Sequence, residues 1–408
     1  MTQELTNEDI VCFAGEDWWC HHPHSKNHLV KRLARNNRVL FINSISMGLP
    51  SMSNPDFFLK IRRRIKSYLK WLRRAQEGLW VMTPIVFPFY GSKAVRALNA
   101  RLLPLQIRVA MRLCGMRRVP IIWVAIPTAM DSLKRLPCKL LLYQVSDKYD
   151  ANFDSAVAIQ TIRDLHEQLK EKAAVVMYSG RKLFEEARER HKYFLEQAVD
   201  FDHFAANTVE GADDMSGIPH PVLGYFGTMD YVMDLELMTE VARRHPDWHW
   251  AMIGNRSNWC RVEEANVHFL GPKPYADLPA YLRYFDVCVL PWKSNNAWVS
   301  YTSAIKVREY LASGKPVVIA PLYEFANTPG VRVFHSVDEF IEQVEDALHR
   351  DTEQDMRIRQ DTVRNCTWDA RAKQVGDLIL MLLASKPEAA GQIRFIPGAE
   401  IKSAEQVR

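Results

Sequence analysis

The chain has 408 residues, more than one hydrophobic core usually serves, so two domains are expected. Hydrophobic residues make up 48% and charged residues 25%, ordinary globular usage that excludes pervasive disorder and a membrane-spanning bundle. A net charge of +5 and seven cysteines without CxxC spacing exclude a strongly polyionic protein and a disulfide framework, and they point to a reduced, cytoplasmic setting.

The opening residues are polar and acidic, without the basic start and apolar middle of an export signal. Residues 10–14 then read as a short buried strand, 28–35 as a helix through Leu29 and Leu33, and 38–43 as a second strand. Between them, residues 18–28 hold Trp18, Trp19, His21, His22, His24 and His28. The tryptophans suit sugar stacking or plain packing. The histidines suit acceptor contact or a loop surface, and the four-residue spacing of His24 and His28 would also suit a metal, although no carboxylate or cysteine pattern completes a site.

Residues 57–74 follow, with eight Lys or Arg and no acid between Lys60 and Arg74. Phe58, Ile61, Ile65, Tyr68, Leu69 and Leu72 fall on one helical stripe, the pattern of a helix lying on an anionic membrane surface, or of a domain helix whose charged face is merely solvated. Strand-like runs recur at 79–86, 120–126, 139–145 and 173–179, with a helix at 154–171. Strands alternating with helices imply a parallel sheet, whose carboxyl edge collects ligands. Asp147 follows the run at 139–145 at that edge. It is the expected general base for an attacking hydroxyl, with Asp150 and Asp154 close enough to share the role and helix capping as the plainer alternative.

A turn-rich stretch at 206–220 is the expected linker. It separates a first domain, 1–205, from a second, 221–386, with a tail at 387–408. The second domain repeats the alternation: strands at 222–227, 248–253, 267–270, 287–290 and 316–320, helices at 235–244, 278–284 and 304–313. Its most informative stretch is SYTSAIKVREYLASGKPVVIA, residues 300–320. A polar loop with small residues leads into a helix start, where backbone amides favour an anion. Lys306 and Glu309 share a helix face. Together they could meet a nucleotide's phosphates and ribose, or simply be a solvated pair.

This block, with GYFGTMDYVMDLEL at 224–237, AMIGN at 251–255, VHFLGPKPYADLPAYLRYFDVCVLPW at 267–292 and TWDARAKQVGDLI at 367–379, resembles the GT-B glycosyltransferases with a K-x-x-E-Y-L-A-x-G-K-P-V-V motif. Residues 11–43 are similar to the opening unit of relatives acting on lipid-linked or polysaccharide acceptors. The resemblance implies an α/β fold of two Rossmann-like domains facing each other across a cleft, with a C-terminal helix near Trp368 packing back on the first domain. It also implies that Glu309 binds the donor ribose and Lys306 the diphosphate, while Gly227, Thr228, Tyr301, Thr302 and Ser303 border the donor pocket. Trp18, Trp19, His24 and His28 are then expected at the acceptor. Tyr301 stands where many relatives carry a second glutamate, which leaves retention or inversion open.

The expected activity is sugar transfer from a nucleotide sugar, UDP-linked in preference to GDP-linked, to a lipid-linked or surface-polysaccharide acceptor at the inner face of the cytoplasmic membrane. Without a DxD motif it is expected to need no metal and no cofactor. Nucleic acid is not an expected partner. The alternatives are a nucleotide-sugar epimerase on the same fold, which would turn over donor without acceptor, and a non-enzymatic protein binding nucleic acid or anionic membrane through the basic stretch.

Overall fold

Short apolar strands separated by amphipathic helices can bury their backbones only in a sheet covered on both faces. The computed structural model describes residues 4–19, 23–44, 70–87, 92–148, 156–206 and 211–385, and the chain divides into two compact units. The first comprises Met1–Ser179, Glu186–Leu195 and the chain from Arg371; the second comprises Gly180–Glu185 and Glu196–Ala370. The division after Leu195 falls ahead of the turn-rich stretch expected as the linker, because the strand that closes the first sheet ends there and the helix Phe201–Ala205 packs into the second core.

In the first unit the strands are β1 (Asp9–Phe13), β2 (Arg38–Ile42), β3 (Leu72–Gln76), β4 (Leu79–Met82), β5 (Ile121–Val124), β6 (Leu140–Val145), β7 (Val175–Tyr178) and β8 (Lys192–Phe194). They form one sheet in the order β3-β4-β2-β1-β5-β6-β7-β8, parallel except for β3, which runs antiparallel to β4. The central strands β1, β5, β6 and β7 are buried throughout, as strands covered on both faces must be.

The expected helix over 57–74 is corrected at its end. Most of that stretch lies outside the described residues, but Leu72–Arg74 belong to β3, with Leu72 paired to Met82. Ladder bonds to β4 override a helical spacing that here involves a single apolar residue, Leu72.

The second unit holds β9 (Val222–Phe226), β10 (His249–Ile253), β11 (Val267–Gly271), β12 (Val287–Leu290), β13 (Val317–Ile319) and β14 (Val331–Val333). All are parallel, in the order β11-β10-β9-β12-β13-β14. The order reverses between β9 and β12, the switch point at which parallel sheets open a crevice beyond their carboxyl ends. At β9, Gly224 leaves room for the Phe285 ring, which a Cβ would meet at 2.0 Å. Beneath the sheet the core packs Trp250 in parallel stack with Phe340, their centroids 5.7 Å apart.

The final helix, Trp368–Ala384, starts in the second unit, and from Arg371 onward its residues belong to the first. There Ala372, Val375, Leu378, Ile379 and Leu382 are buried.

Candidate active site

The helix Ile305–Ser313 begins without a capping side chain on Ala304 and ends at Gly314, whose φ of 78° is the left-handed geometry that stops helices. Two anchors fix it. The Tyr310 hydroxyl accepts the Phe226 N–H at 3.1 Å, tying the helix to the end of β9, and Arg359 donates twice to the Gly314 carbonyl, at 2.9 and 2.8 Å. Lys306 and Glu309 are therefore carried at the carboxyl end of β9, next to the switch point.

Gly227 comes directly after β9 with φ 145°, and a Cβ there would lie 2.8 Å from Lys306 Cε and 3.0 Å from its Nζ. Glycine is what lets the lysine lie across the strand end. Gly254 makes the same space from β10, where a Cβ would strike the Gly227 carbonyl oxygen at 2.0 Å. The Lys306 ammonium sits 4.5 Å from the Trp292 ring centroid and 5.5 Å from that of Tyr225, cation–π contacts that hold a charge short of water. Burial lowers its pKa to about 8 against the opposing pull of Glu309 and Asp230. Glu309 is buried, and burial raises its carboxyl to about 8, with Lys306 pulling it down and Asp200 pushing it up.

Among the described residues, neither the Lys306 ammonium nor the Glu309 carboxyl has a hydrogen bond or ion pair. Partly buried polar groups without hydrogen bonds cost stability, and a ligand that brings an anion to the ammonium and hydroxyls to the carboxyl supplies the bonds they lack.

The other residues expected at the donor side divide. Gly227 touches Lys306 as described. Thr228 is exposed, its carbonyl accepting the Tyr225 hydroxyl at 2.9 Å. Thr302 folds its hydroxyl back to the Trp298 carbonyl at 3.1 Å, and Tyr301 has the Lys182 ammonium 4.4 Å above its ring. Ser303 is buried and accepts from Arg308 at 3.2 Å.

Arg308 went unnoticed in the sequence. Its guanidinium binds Glu324 at 2.9 Å and Glu196 at 3.1 Å as well as Ser303, so the loop before the helix is held from below by a buried charge network. Trp292 and Tyr225, which wall the lysine, were missed as well, although the aromatic residues of GYFG and VLPW carried the signal.

In the first unit, Asp147 lies half-buried beyond the carboxyl end of β6. Burial raises its pKa against the pull of Lys26 and His24, with Glu16 adding to the rise. Lys26 and Glu16 form an ion pair of 2.8 Å, with side chains only 9% and 10% exposed. Burial opposes the Lys26 charge, but Glu16 and Asp147 outweigh it and hold the ammonium above its usual range.

His24 sits just before the helix Ser25–Leu33 and donates its backbone N–H to Asn27 Oδ1 at 2.9 Å; His28 is buried within that helix. Asp147, His24, Lys26 and Glu16 thus gather at one sheet edge. Trp18 packs edge-on against Phe41 at 4.9 Å, whereas Trp19 is exposed with Arg73 over its ring. Asp150, Asp154, His21 and His22 lie outside the described residues. Among those described, no three His, Cys, Asp or Glu side chains converge as metal ligands do.

Two Rossmann-like sheets in one chain, the second with a lysine and a glutamate displayed at its switch point, define the GT-B fold. Solved structures of that fold superpose on nearly the whole chain. Sucrose-phosphate synthase (tll1590) from Thermosynechococcus elongatus covers 93% of this chain and 100% of its own at a TM-score of 0.67 and 13% identity. Anabaena HepE (Alr3699), solved with UDP and glucose, covers 92% and 99% at 0.61 and 13%.

Within this fold, residues 220–350 of the second unit match the family described as Glycosyl transferases group 1. A protein of Bacillus subtilis (strain 168) named as the teichuronic acid biosynthesis glycosyltransferase TuaH is 26% identical over 199 residues, 44% of this chain and 49% of that one. The match spans about half the length of that relative. The chain thus has the GT-B fold, and residues 220–350 of its second unit resemble the group 1 glycosyltransferases.

Proposed function

We propose that the protein transfers a sugar from a nucleotide sugar to a glycan acceptor. The observation that carries this is the pair Lys306 and Glu309, without a hydrogen bond or ion pair among the described residues, on the helix that the group 1 match contains. In this reading Lys306 and the amides at the helix start neutralise the donor diphosphate, and the leaving phosphate is stabilised without a metal ion. Glu309 holds the ribose hydroxyls, and Gly227 and Thr228 border the nucleotide. Tyr301, Thr302 and Ser303 shape the sugar end. UDP is favoured over GDP, in keeping with the UDP bound by Anabaena HepE.

The acceptor belongs to the first unit. Asp147, its proton affinity raised by burial, takes the proton of the attacking hydroxyl, and Lys26 with Glu16 fixes its surroundings. His24, His28, Trp18 and Trp19 border the acceptor. A polysaccharide or lipid-linked glycan fits the polysaccharide role in the name of TuaH, and the basic stretch 57–74 then meets the anionic surface that presents it.

Thermal shift with UDP, GDP and their sugars tests the donor site, because a ligand of the folded state raises its melting temperature. Wild type is expected to respond to a UDP-sugar. Lys306→Ala and Glu309→Ala are each expected to weaken the response about 10- to 100-fold in affinity, the size of a lost hydrogen bond to a charged group. Unchanged affinity in both variants would overturn the assignment, and turnover of donor without acceptor would make the protein an epimerase.

A further inference from the structure

The helix Lys93–Leu113 is apolar on two faces. One, with Ala100, Leu103, Ile107, Ala110 and Met111, is buried in the first unit. The other carries Leu98, Leu105, Val109 and Leu113 at intervals of seven, four and four, which at 3.6 residues per turn keeps them in one stripe. These side chains are 41%, 59%, 41% and 66% exposed. Arg101, Arg108 and Arg112 repeat at seven and four along one side of the stripe, all exposed.

On the other side lies the extended segment after β4, strapped to the helix by two side-chain amides. Gln106 bonds the Ile85 N–H and carbonyl at 3.0 and 2.8 Å, and Asn99 bonds those of Phe87 at 2.9 and 2.8 Å. Ile85 and Phe87 are each about half exposed, so the strap widens the apolar stripe instead of covering it. Single exposed leucines are ordinary, but a contiguous band of six apolar side chains is not.

The occupant follows from charge. Between Glu77 and Asp131 the sequence has no acid and seven basic residues, Lys93, Arg96, Arg101, Arg108, Arg112, Arg117 and Arg118. Arg96 is committed to Asp131 in a two-pronged pair, and Arg108 donates to the Arg135 carbonyl. Arg101 and Arg112 stand in solvent beside the apolar stripe. A band of leucine and phenylalanine flanked by arginines matches the boundary between acyl chains and anionic headgroups, with the long arginine stems reaching back to the phosphates.

We propose that the exposed face of Lys93–Leu113, together with Ile85 and Phe87, is the surface by which the first unit docks on an anionic lipid bilayer. The proposal rests on the reading of the chain as a transferase whose acceptor is presented at such a surface, and it adds a contact beyond that of the basic stretch 57–74.

The test is co-sedimentation of the full chain with phosphatidylcholine vesicles, with and without phosphatidylglycerol, alongside the UDP thermal shift. Wild type is expected to bind only the phosphatidylglycerol vesicles, less so as salt rises. The double variants Leu105→Asp with Val109→Asp and Arg101→Glu with Arg112→Glu change exposed side chains. Each is expected to weaken that binding about tenfold or more while the UDP response stays.

Wild-type binding by both variants overturns the docking face, as does a change of oligomeric state in the aspartate variant, which would give the stripe to a second copy of the chain. Vesicle binding that vanishes only on neutralising Lys60, Arg62, Arg63 and Arg64 also overturns it, but leaves the lipid-presented acceptor standing. A missing UDP response in wild type would strike the donor reading instead.

Discussion

The Lys306 ammonium lies against two aromatic rings with its pKa lowered to about 8 by burial, so its charge is at stake near neutral pH. The direction of the consequence follows from which form the ligand prefers. A diphosphate binds the protonated amine, and the free protein loses that proton as pH rises through about 8. Donor affinity is therefore expected to fall above that pH, by up to about tenfold per pH unit from loss of the Lys306 proton, while the Glu309 carboxyl, raised to about 8, ionises beside it over the same range. Lys306→Arg keeps its charge throughout and should flatten the fall, even if it binds less well at neutral pH. Calorimetric titration of UDP across that range is the check. An unchanged alkaline fall in the arginine variant would assign the titration to another group.

At the element scale the helix Ile305–Ser313 depends on Arg308, which is 3% exposed and shares its guanidinium among Glu324, Glu196 and Ser303. Glu324 also accepts the Arg181 N–H at 2.8 Å, so one carboxylate braces both the helix and the segment Arg181–Glu186. Removing the arginine strands a buried carboxylate. Arg308→Met is expected to cost about 3–5 kcal/mol in chemical denaturation, with a weaker UDP response as Ser303 loses its anchor. A loss below about 1 kcal/mol would class these as surface pairs.

This is also the scale at which the sequence was most and least legible. The strand Val287–Leu290 and the helices Leu235–Arg244 and Leu278–Tyr284 coincide with expectation, because strands buried on both faces and amphipathic helices carry strong periodicity. The strands β3, β8 and β14 were missed. All three are sheet edges, short and mixed in polarity, as LRRAQ, KYF and VRV illustrate. That Gly227 and Lys306 come together was legible through the two motif blocks that hold them. Lys26 and Glu16 were not, since single charged residues in or beside a loop look solvated until tertiary packing buries them.

For the molecule as a whole, two separate cores mean that unfolding need not be one all-or-none event. The chain crosses between the units within the final helix, and from Arg371 onward that helix completes the first unit. Its buried Ala372, Val375, Leu378, Ile379 and Leu382 bring Gly376 against Leu5, where a Cβ would sit 3.4 Å from the leucine. Burying a large aliphatic side chain is worth about 1.5–3 kcal/mol, so four of these and an alanine amount to much of a domain's net stability of about 5–15 kcal/mol. Removing everything after Ala370 is therefore expected to abolish the cooperative transition of the first unit. The second unit retains Lys306, Glu309 and its own core, so its transition should persist and still rise with UDP, by about 2.7 kcal/mol at a hundredfold excess over the dissociation constant. Differential scanning calorimetry of the shortened chain, with and without UDP, separates the two. Loss of both transitions would show that the second unit depends on the first for its fold, and persistence of both would show that the final helix is dispensable to the core it covers.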